Sequence, residues 1–204
     1  MKLNDFIDWR LPSGATFSEC RRYRHTLWRT TGDCQFGNER ICCIIMLNPS
    51  TADQSTDDPT IRRCRGFARD WAYGRLAVIN LFDFRATEPA ELKKAEKPCS
   101  DQNDTVILTV AKASDLVVCA WGTHGEYLDR GSRVAKALRA AGVNLHLLAP
   151  TKMQLPRHPL YLKRVLQPIP WKSPRRRNCQ LRPAAAKPAA SPTKATAKSI
   201  VAEH

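Results

Sequence analysis

The chain has 204 residues, 43% of them hydrophobic, and its 33 lysines and arginines against 19 acidic residues give a formal net charge of +14. This composition, with five tryptophans and six phenylalanines, excludes a fully disordered chain. Apolar runs such as 41–47 are far shorter than the ~18 residues of a membrane-spanning helix. The opening MKLND lacks the apolar stretch of a secretory signal, so we expect a cytoplasmic protein with no membrane partner.

Residues 1–40 are predicted to form a β-hairpin region packed on the main domain. Apolar and polar side chains alternate with a period near two over residues 20–29, which is typical of a half-buried strand. A turn-rich stretch, residues 31–38, follows. We expect that stretch to lead the hairpin into the first buried strand.

Residues 41–171 alternate between strand-like and helical patterns. Four apolar segments of the kind found in buried parallel strands occur at 41–47, 75–80, 115–120 and 143–148. Helices are predicted between them: the first begins at Asp58-Pro59, the second begins at Ser100 or Asp101, and the third covers 130–141 before Gly142. This order predicts a three-layer α/β/α domain on a four-stranded, mainly parallel sheet.

Residues 172–204 differ in composition from the rest of the chain. They contain eight basic residues and one acidic residue, which is half of the net charge, together with eight alanines and four prolines. So few large apolar side chains cannot offset the entropy cost of ordering. We therefore predict a disordered basic tail that binds phosphate backbones in a salt-sensitive manner, with Arg175, Arg176 and Arg177 among its contacts.

Polar, aromatic or glycine residues follow all four predicted strands. In open α/β sheets, ligands bind beyond the carboxyl ends of the strands, so these segments are the candidate site. The candidates are Asn48, Pro49, Ser50 and Thr51 after the first strand; Asn80, Phe82 and Arg85 after the second; Trp121 and His124 after the third; and Arg157, His158 and Tyr161 after the fourth. The alternative for each is an ordinary turn residue.

Other functional patterns are weaker. Arg62, Arg65 and Arg69 share a face of the first helix, where they could contact phosphates or form a solvated basic surface. None of the eight cysteines forms a Cys-x-x-Cys pair, so we expect reduced thiols and predict no metal and no other cofactor. The glycine motifs of P-loop and dinucleotide-binding proteins are absent from the sequence.

Six short motifs stand along the central region. They are MLNPSTAD at 46–53, DPTIRRC at 58–64, NLF at 80–82, RAT at 85–87, AWG at 120–122 and RHPLYL at 157–162. Together they closely resemble a bacterial and phage family, domain of unknown function 1643, over roughly residues 20–171. The name of that family implies no activity.

The order of these motifs also resembles the uracil-DNA glycosylase superfamily. Its four-stranded parallel sheet has a Gly-x-Asn-Pro-Gly type of loop after the first strand and a His-Pro-Ser-Pro-Leu loop after the fourth. The resemblance implies that Asn48 positions a water, Asn80 recognises the base and His158 stabilises the departing base anion. Met46 and Ser50 replace glycines of that pattern, and the Ser-Pro after His158-Pro159 is missing.

Cleavage of an N-glycosidic bond needs a positioned water and a hydrogen-bond donor aimed at the leaving base. Phe82 could stack on a flipped base, and Arg85 and Arg157 could contact phosphates. The plainer alternatives are that Asn48 caps a turn, His158 anchors its loop and Phe82 lies in the core.

Three hypotheses about function follow from the sequence. The first is a nucleic-acid-associated enzyme with a glycosylase-like fold that acts on a base or nucleotide, with DNA a better candidate than RNA. The second is a non-catalytic module on the same fold that binds nucleic acid or a nucleotide. The third is an accessory protein with a vestigial site.

Overall fold

A computed structural model describes residues 1–31 and 38–172 of the chain. The predicted basic tail after Lys172, including Arg175, Arg176 and Arg177, lies outside the described residues. So does most of the predicted turn-rich stretch before the first buried strand. No helix within the described ranges is long and apolar enough to cross a membrane.

Within the described residues, seven strands form one mixed sheet in the order β1-β2-β4-β3-β5-β6-β7. They are β1 (Ser13–Phe17), β2 (Arg24–Thr30), β3 (Ile41–Met46), β4 (Arg75–Asn80), β5 (Leu116–Cys119), β6 (Leu145–Leu147) and β7 (Ile169–Pro170). The central strands, β4-β3-β5-β6, are parallel and correspond to the four predicted strands. The predicted total of four was wrong, because β2 pairs antiparallel with β4 and β7 pairs antiparallel with β6.

The N-terminal hairpin lies within residues 1–40 and precedes the turn-rich stretch. Its strands are β1 and β2, which pair antiparallel and are joined by residues 18–23. The strand β2 then adds to the edge of the main sheet, where Leu27 pairs with Val78 of β4. All of β2 except Thr30 is buried, so the alternating pattern of this segment did not mark a solvent-exposed face.

Four α-helices are present in the described residues: α1 (Pro59–Asp70), α2 (Pro89–Lys94), α3 (Asn103–Lys112) and α4 (Arg130–Ala140). Asp58 caps α1 as predicted, since its Oδ1 accepts a hydrogen bond from the Ile61 amide at 2.8 Å. The short helix α2 was not predicted. The predicted start of α3 at Ser100 or Asp101 was wrong: the helix begins at Asn103, and Ser100 instead donates to the buried carboxylate of Asp83.

The helices cover both faces of the sheet. Ile44 of β3 points to a core that includes Ile61 and Phe67 of α1. Its neighbour Ile45 points to a second core, which includes Val106 of α3 and Val134 of α4. Successive side chains of a strand point to opposite faces, so β3, buried on both, is apolar throughout. The result is three layers: helix, sheet, helix.

This arrangement creates a crevice at one edge of the sheet. The chain leaves β3 through α1 on one face, whereas it leaves β5 through α4 on the other face. The connections therefore diverge beyond the carboxyl ends of β3 and β5, which are neighbouring strands. Such a topological switch point is the usual ligand-binding position of open α/β sheets.

Candidate functional site

A cleft of about 510 Å³ lies at this switch point. The segments that follow all four parallel strands contribute to its walls. Six of the predicted site residues line it: Asn48, Ser50, Thr51, Trp121, His124 and His158. Further lining residues that the sequence analysis did not assign to the site include Arg24, Asp58, Thr60 and Thr87.

Backbone hydrogen bonds join the segments around the cleft. The Ala86 amide donates to the Pro49 carbonyl at 2.9 Å, which ties the segment after β4 to the segment after β3. The Gly122 amide donates to the Pro156 carbonyl at 2.8 Å, which ties the segments after β5 and β6 together. The walls are thereby held in place by the fold itself.

Asn48 presents a hydrogen-bond acceptor in the cleft. Its Nδ2 donates to the carbonyl of Ala86 at 2.6 Å and to that of Pro49 at 3.1 Å. These two bonds fix the amide plane. Its Oδ1 accepts no hydrogen bond from the described residues, so this oxygen can accept one from a water or a ligand.

His158 presents a hydrogen-bond donor to the same cleft. Its Nδ1 accepts from the Leu160 amide at 3.4 Å, which in the neutral ring leaves the proton on Nε2. The side chain is exposed at the mouth of the cleft, yet neighbouring protein atoms displace enough water to lower its pKa. The charge of Asp58 opposes this shift. The lowered pKa favours the neutral ring near pH 7.

Asp58 places a carboxylate beside the histidine. One of its oxygens caps α1, and the residue is half-buried in the cleft wall. Its charge acts on both His158 and Arg24, since it raises the pKa of each against the effect of burial. Asp58 is therefore both a cap, as predicted, and a charged group of the site.

Arg24 is a buried cation in the wall of the cleft, and only 1% of its surface is exposed. One terminal nitrogen donates to the Ala52 carbonyl at 2.8 Å, and the other to Asn80 Oδ1 at 3.4 Å. Its Nε has no partner, and no carboxylate of the described residues forms an ion pair with it. Burial lowers its pKa to about 10, opposed by Asp58 and reinforced by Arg85 and Arg29.

Asn80 and Phe82 do not line the cleft. Asn80 is 1% exposed and bonds to Arg24, while its Nδ2 has no partner. The ring of Phe82 is fully buried, 5.7 Å from the ring of Tyr127, so it occupies the core as its alternative interpretation held. Pro49 is also buried and absent from the lining.

Trp121 borders the cleft, but its ring packs inward. The indole is 2% exposed and meets the Trp171 ring edge-on, with 5.4 Å between centroids. A Cβ at Gly125 would lie 2.0 Å from Trp121 Cδ1, so a side chain at that position would displace the ring. The indole is therefore part of the packing beneath the site and is not a free stacking surface.

Three further candidates lie outside the cleft lining. Arg85 is half-buried; it donates to the Arg21 carbonyl at 3.4 Å, and its guanidinium lies 5.2 Å from the ring centroid of Phe17. Arg157 and Tyr161 are exposed, Tyr161 by 90%. None of the three side chains is brought together with Asn48 and His158.

The α1 arginines do come together, in a separate groove of about 230 Å³. Arg62, Arg65 and Arg69 line it with Thr31 and Gly66. Two of the three are engaged with Asp57. Arg62 donates to its carbonyl at 2.6 Å, and Arg65 forms an ion pair with its carboxylate at 3.0 Å.

Metal and thiol chemistry find no support in the described part of the chain. No group of three or more His, Cys, Asp or Glu residues there could hold a metal ion. The cysteines that the structure describes are free thiols. Burial raises the pKa of Cys42, Cys43, Cys64 and Cys119, so these thiols serve as small apolar core residues.

Comparison with known proteins gives one match. A family model described as "Protein of unknown function (DUF1643)" matches residues 24–160. No curated protein and no solved structure matches the chain. The matched range begins at Arg24 and ends at Leu160, which are the first and last residues along the chain that line the cleft.

Proposed function

Because the chain belongs to the family described as protein of unknown function (DUF1643), whose name assigns no activity, we propose its function from the cleft itself. The protein is a hydrolase that cleaves the N-glycosidic bond of a base in a nucleic acid or a nucleotide. One observation supports this most strongly: an acceptor held by two hydrogen bonds, Asn48 Oδ1, and a donor, His158 Nε2, belong to one cleft.

The two groups match the two needs of the reaction. As the bond between sugar and base breaks, the electron pair goes to the base, and the sugar carbon gains positive charge. The Nε2–H of neutral His158 donates to the base and stabilises its negative charge. Asn48 Oδ1 holds a water whose oxygen bonds to the sugar carbon. The carboxylate of Asp58, in the same cleft, takes the proton that this water loses.

A polyanionic partner fits the surface charge. The groove of Arg62, Arg65 and Arg69 offers sites for phosphates, and the residues after Lys172 add a formal +6. The described residues up to Lys172 belong to one compact unit, so a chain that ends there should fold. We expect this truncation to flatten the dependence of DNA affinity on salt concentration; an unchanged slope would contradict a role of the tail in binding.

The catalytic proposal is tested by base release. Wild-type protein is incubated with labelled DNA, RNA and nucleotides that contain normal and damaged bases, and free base is measured. We expect Asn48→Ala and His158→Gln each to reduce the rate by about 100-fold or more. The control is Asn144→Ala, an exposed residue just before β6, at the opposite edge of the sheet.

Two outcomes would overturn the proposal: base release that survives both substitutions, or no release from any substrate by the wild-type protein. Tight binding of a nucleotide without turnover would favour the non-catalytic binding module instead. In that case Asn48→Ala would weaken nucleotide binding, and neither the variant nor the wild-type protein would release a base.

A further inference from the structure

We propose that Arg24 binds a phosphate group of the ligand in the wall of the cleft, so that the substrate is a phosphorylated nucleotide or a strand and not a neutral nucleoside. This inference rests on the proposed function for the position of the ligand. It adds a binding site for the phosphate group, which Asn48 and His158 are not proposed to contact.

The first argument is the missing counter-charge. Burial of a cation is costly unless a carboxylate or a full set of hydrogen bonds compensates for the lost water. Arg24 has neither: its Nε is without a partner, one terminal nitrogen has only a 3.4 Å contact to Asn80, and no ion pair is formed within the described residues. Its burial becomes favourable when an anion enters the cleft.

The second argument is the surrounding charge. The groups that act electrostatically on Arg24 are two cations, Arg85 and Arg29, and one anion, Asp58. Arg29 is neutralised by Asp57, whereas the buried Nε of Arg85 has no partner. The positive charges of Arg24 and Arg85 therefore exceed the negative charge of Asp58, although Arg85 itself lies outside the cleft lining. The excess positive charge favours an anion, and the planar guanidinium fork fits phosphate oxygens.

The third argument is the position of Asn80. Its Oδ1 contacts the Arg24 guanidinium, and it does not line the cleft. It is therefore a positioning residue for Arg24 and not a reader of the base. This gives Asn80 a testable chemistry: a carboxylate in its place would supply the counter-charge that Arg24 lacks.

The experiment measures binding by calorimetry with ribose 5-phosphate, inorganic phosphate, ribose and free uracil. We expect the wild-type protein to bind ribose 5-phosphate at least about tenfold more tightly than ribose. Arg24→Met should remove this preference, and Arg24→Lys should restore part of it. The control is Arg10→Met, since Arg10 is exposed and pairs with the nearby Asp8 on the surface; it should behave as wild type.

A second variant keeps the test decisive if Arg24→Met does not fold. Asn80→Asp preserves the shape of the side chain and neutralises Arg24 internally, so it should also abolish the preference for the phosphorylated sugar. Retention of that preference in folded Arg24→Met or in Asn80→Asp would overturn the proposal. So would a wild-type protein that binds uracil, but not phosphate, in a manner that depends on Arg24.

The binding assay involves no turnover, so the two proposals can fail separately. Phosphate binding through Arg24 without base release would contradict the hydrolase and leave this inference standing. Base release at equal rates from nucleosides and nucleotides, unchanged by Arg24→Met, would contradict this inference alone.

Discussion

Strand β2 has a buried arginine near each of its ends, and the two guanidinium groups differ in how fully their charge is compensated. Arg24 and Arg29 are 1% and 2% exposed. Arg29 is fully compensated: its Nε pairs with Asp57 at 2.6 Å, and its terminal nitrogens donate to four backbone carbonyls, those of Gly14, Trp28, Asp53 and Thr56. Among the described residues, the Arg24 side chain makes two hydrogen bonds, one of them long, and pairs with no carboxylate.

This difference distinguishes an arginine whose contacts are structural from one for which we propose a binding role. Arg29 joins the hairpin to the segment that precedes α1, and all of its partners belong to the protein. Arg24 borders a cleft and retains an unsatisfied nitrogen and an uncompensated charge. Burial alone therefore does not separate these two arginines, whereas their hydrogen-bond and ion-pair partners do.

The largest effect should come from the Arg29 end. Arg29→Met removes the charge that neutralises the part-buried Asp57 and leaves several carbonyls without donors. Because Asp57 keeps its contact with Arg65, we expect a loss of about 3 kcal/mol in the free energy of unfolding, the lower end for a broken buried pair. Urea denaturation measures this free energy. A smaller loss in Arg29→Met than in Arg24→Met would contradict the view that Arg29 is the better compensated of the two arginines.

Arg24→Met should cost less, about 1–2 kcal/mol. It removes hydrogen bonds to Ala52 and Asn80, but it also removes a buried charge that no carboxylate compensates. The same denaturation series measures it. A loss of about 3 kcal/mol or more would show that Arg24 has a structural role like that of Arg29.

Asp58→Asn tests the charges at the Arg24 end. Asparagine caps helices as well as aspartate does, so α1 should remain. Since Asp58 raises the pKa of His158, its loss should lower that already depressed pKa further. Protonation, and with it loss of the neutral donor, would then begin at a lower pH. An NMR titration of the His158 ring measures the shift, and an upward shift would contradict the geometry.

The smallest effect should come from Arg65→Ala. Arg65 binds the same carboxylate as Arg29, but its side chain is 40% exposed. Such solvent-exposed ion pairs contribute about 0–1 kcal/mol. Urea denaturation of Arg65→Ala and of Arg29→Met compares how much each of the two arginine partners of Asp57 contributes to stability. Equal losses would show that burial does not set the strength of these pairs.

The sequence predicted the position of the cleft better than it predicted the residues that line it. Asn48, His124 and His158 line the cleft because each follows a parallel strand, and parallel strands end at the same edge of a sheet. Arg24 was not predicted to line the cleft, because the alternation of apolar and polar side chains around it indicated a half-exposed hairpin. One signal was available in the sequence. Two arginines stand among large apolar residues such as Leu27 and Trp28, which indicates that the arginines are buried with them.

The amino-acid pattern by itself determined the four parallel strands, the Asp58-Pro59 start of α1 and the edge at which the cleft opens, since these depend on local periodicity and capping. Only the tertiary structure decided that the sheet has seven strands in the described residues, that Asn80 and Phe82 are covered, and that Arg24 reaches the cleft. The physical reason is that burial and hydrogen-bond partners at these positions come from segments distant in the chain. Ala52, for example, meets Arg24 across 28 residues, and local periodicity contains no information about that contact.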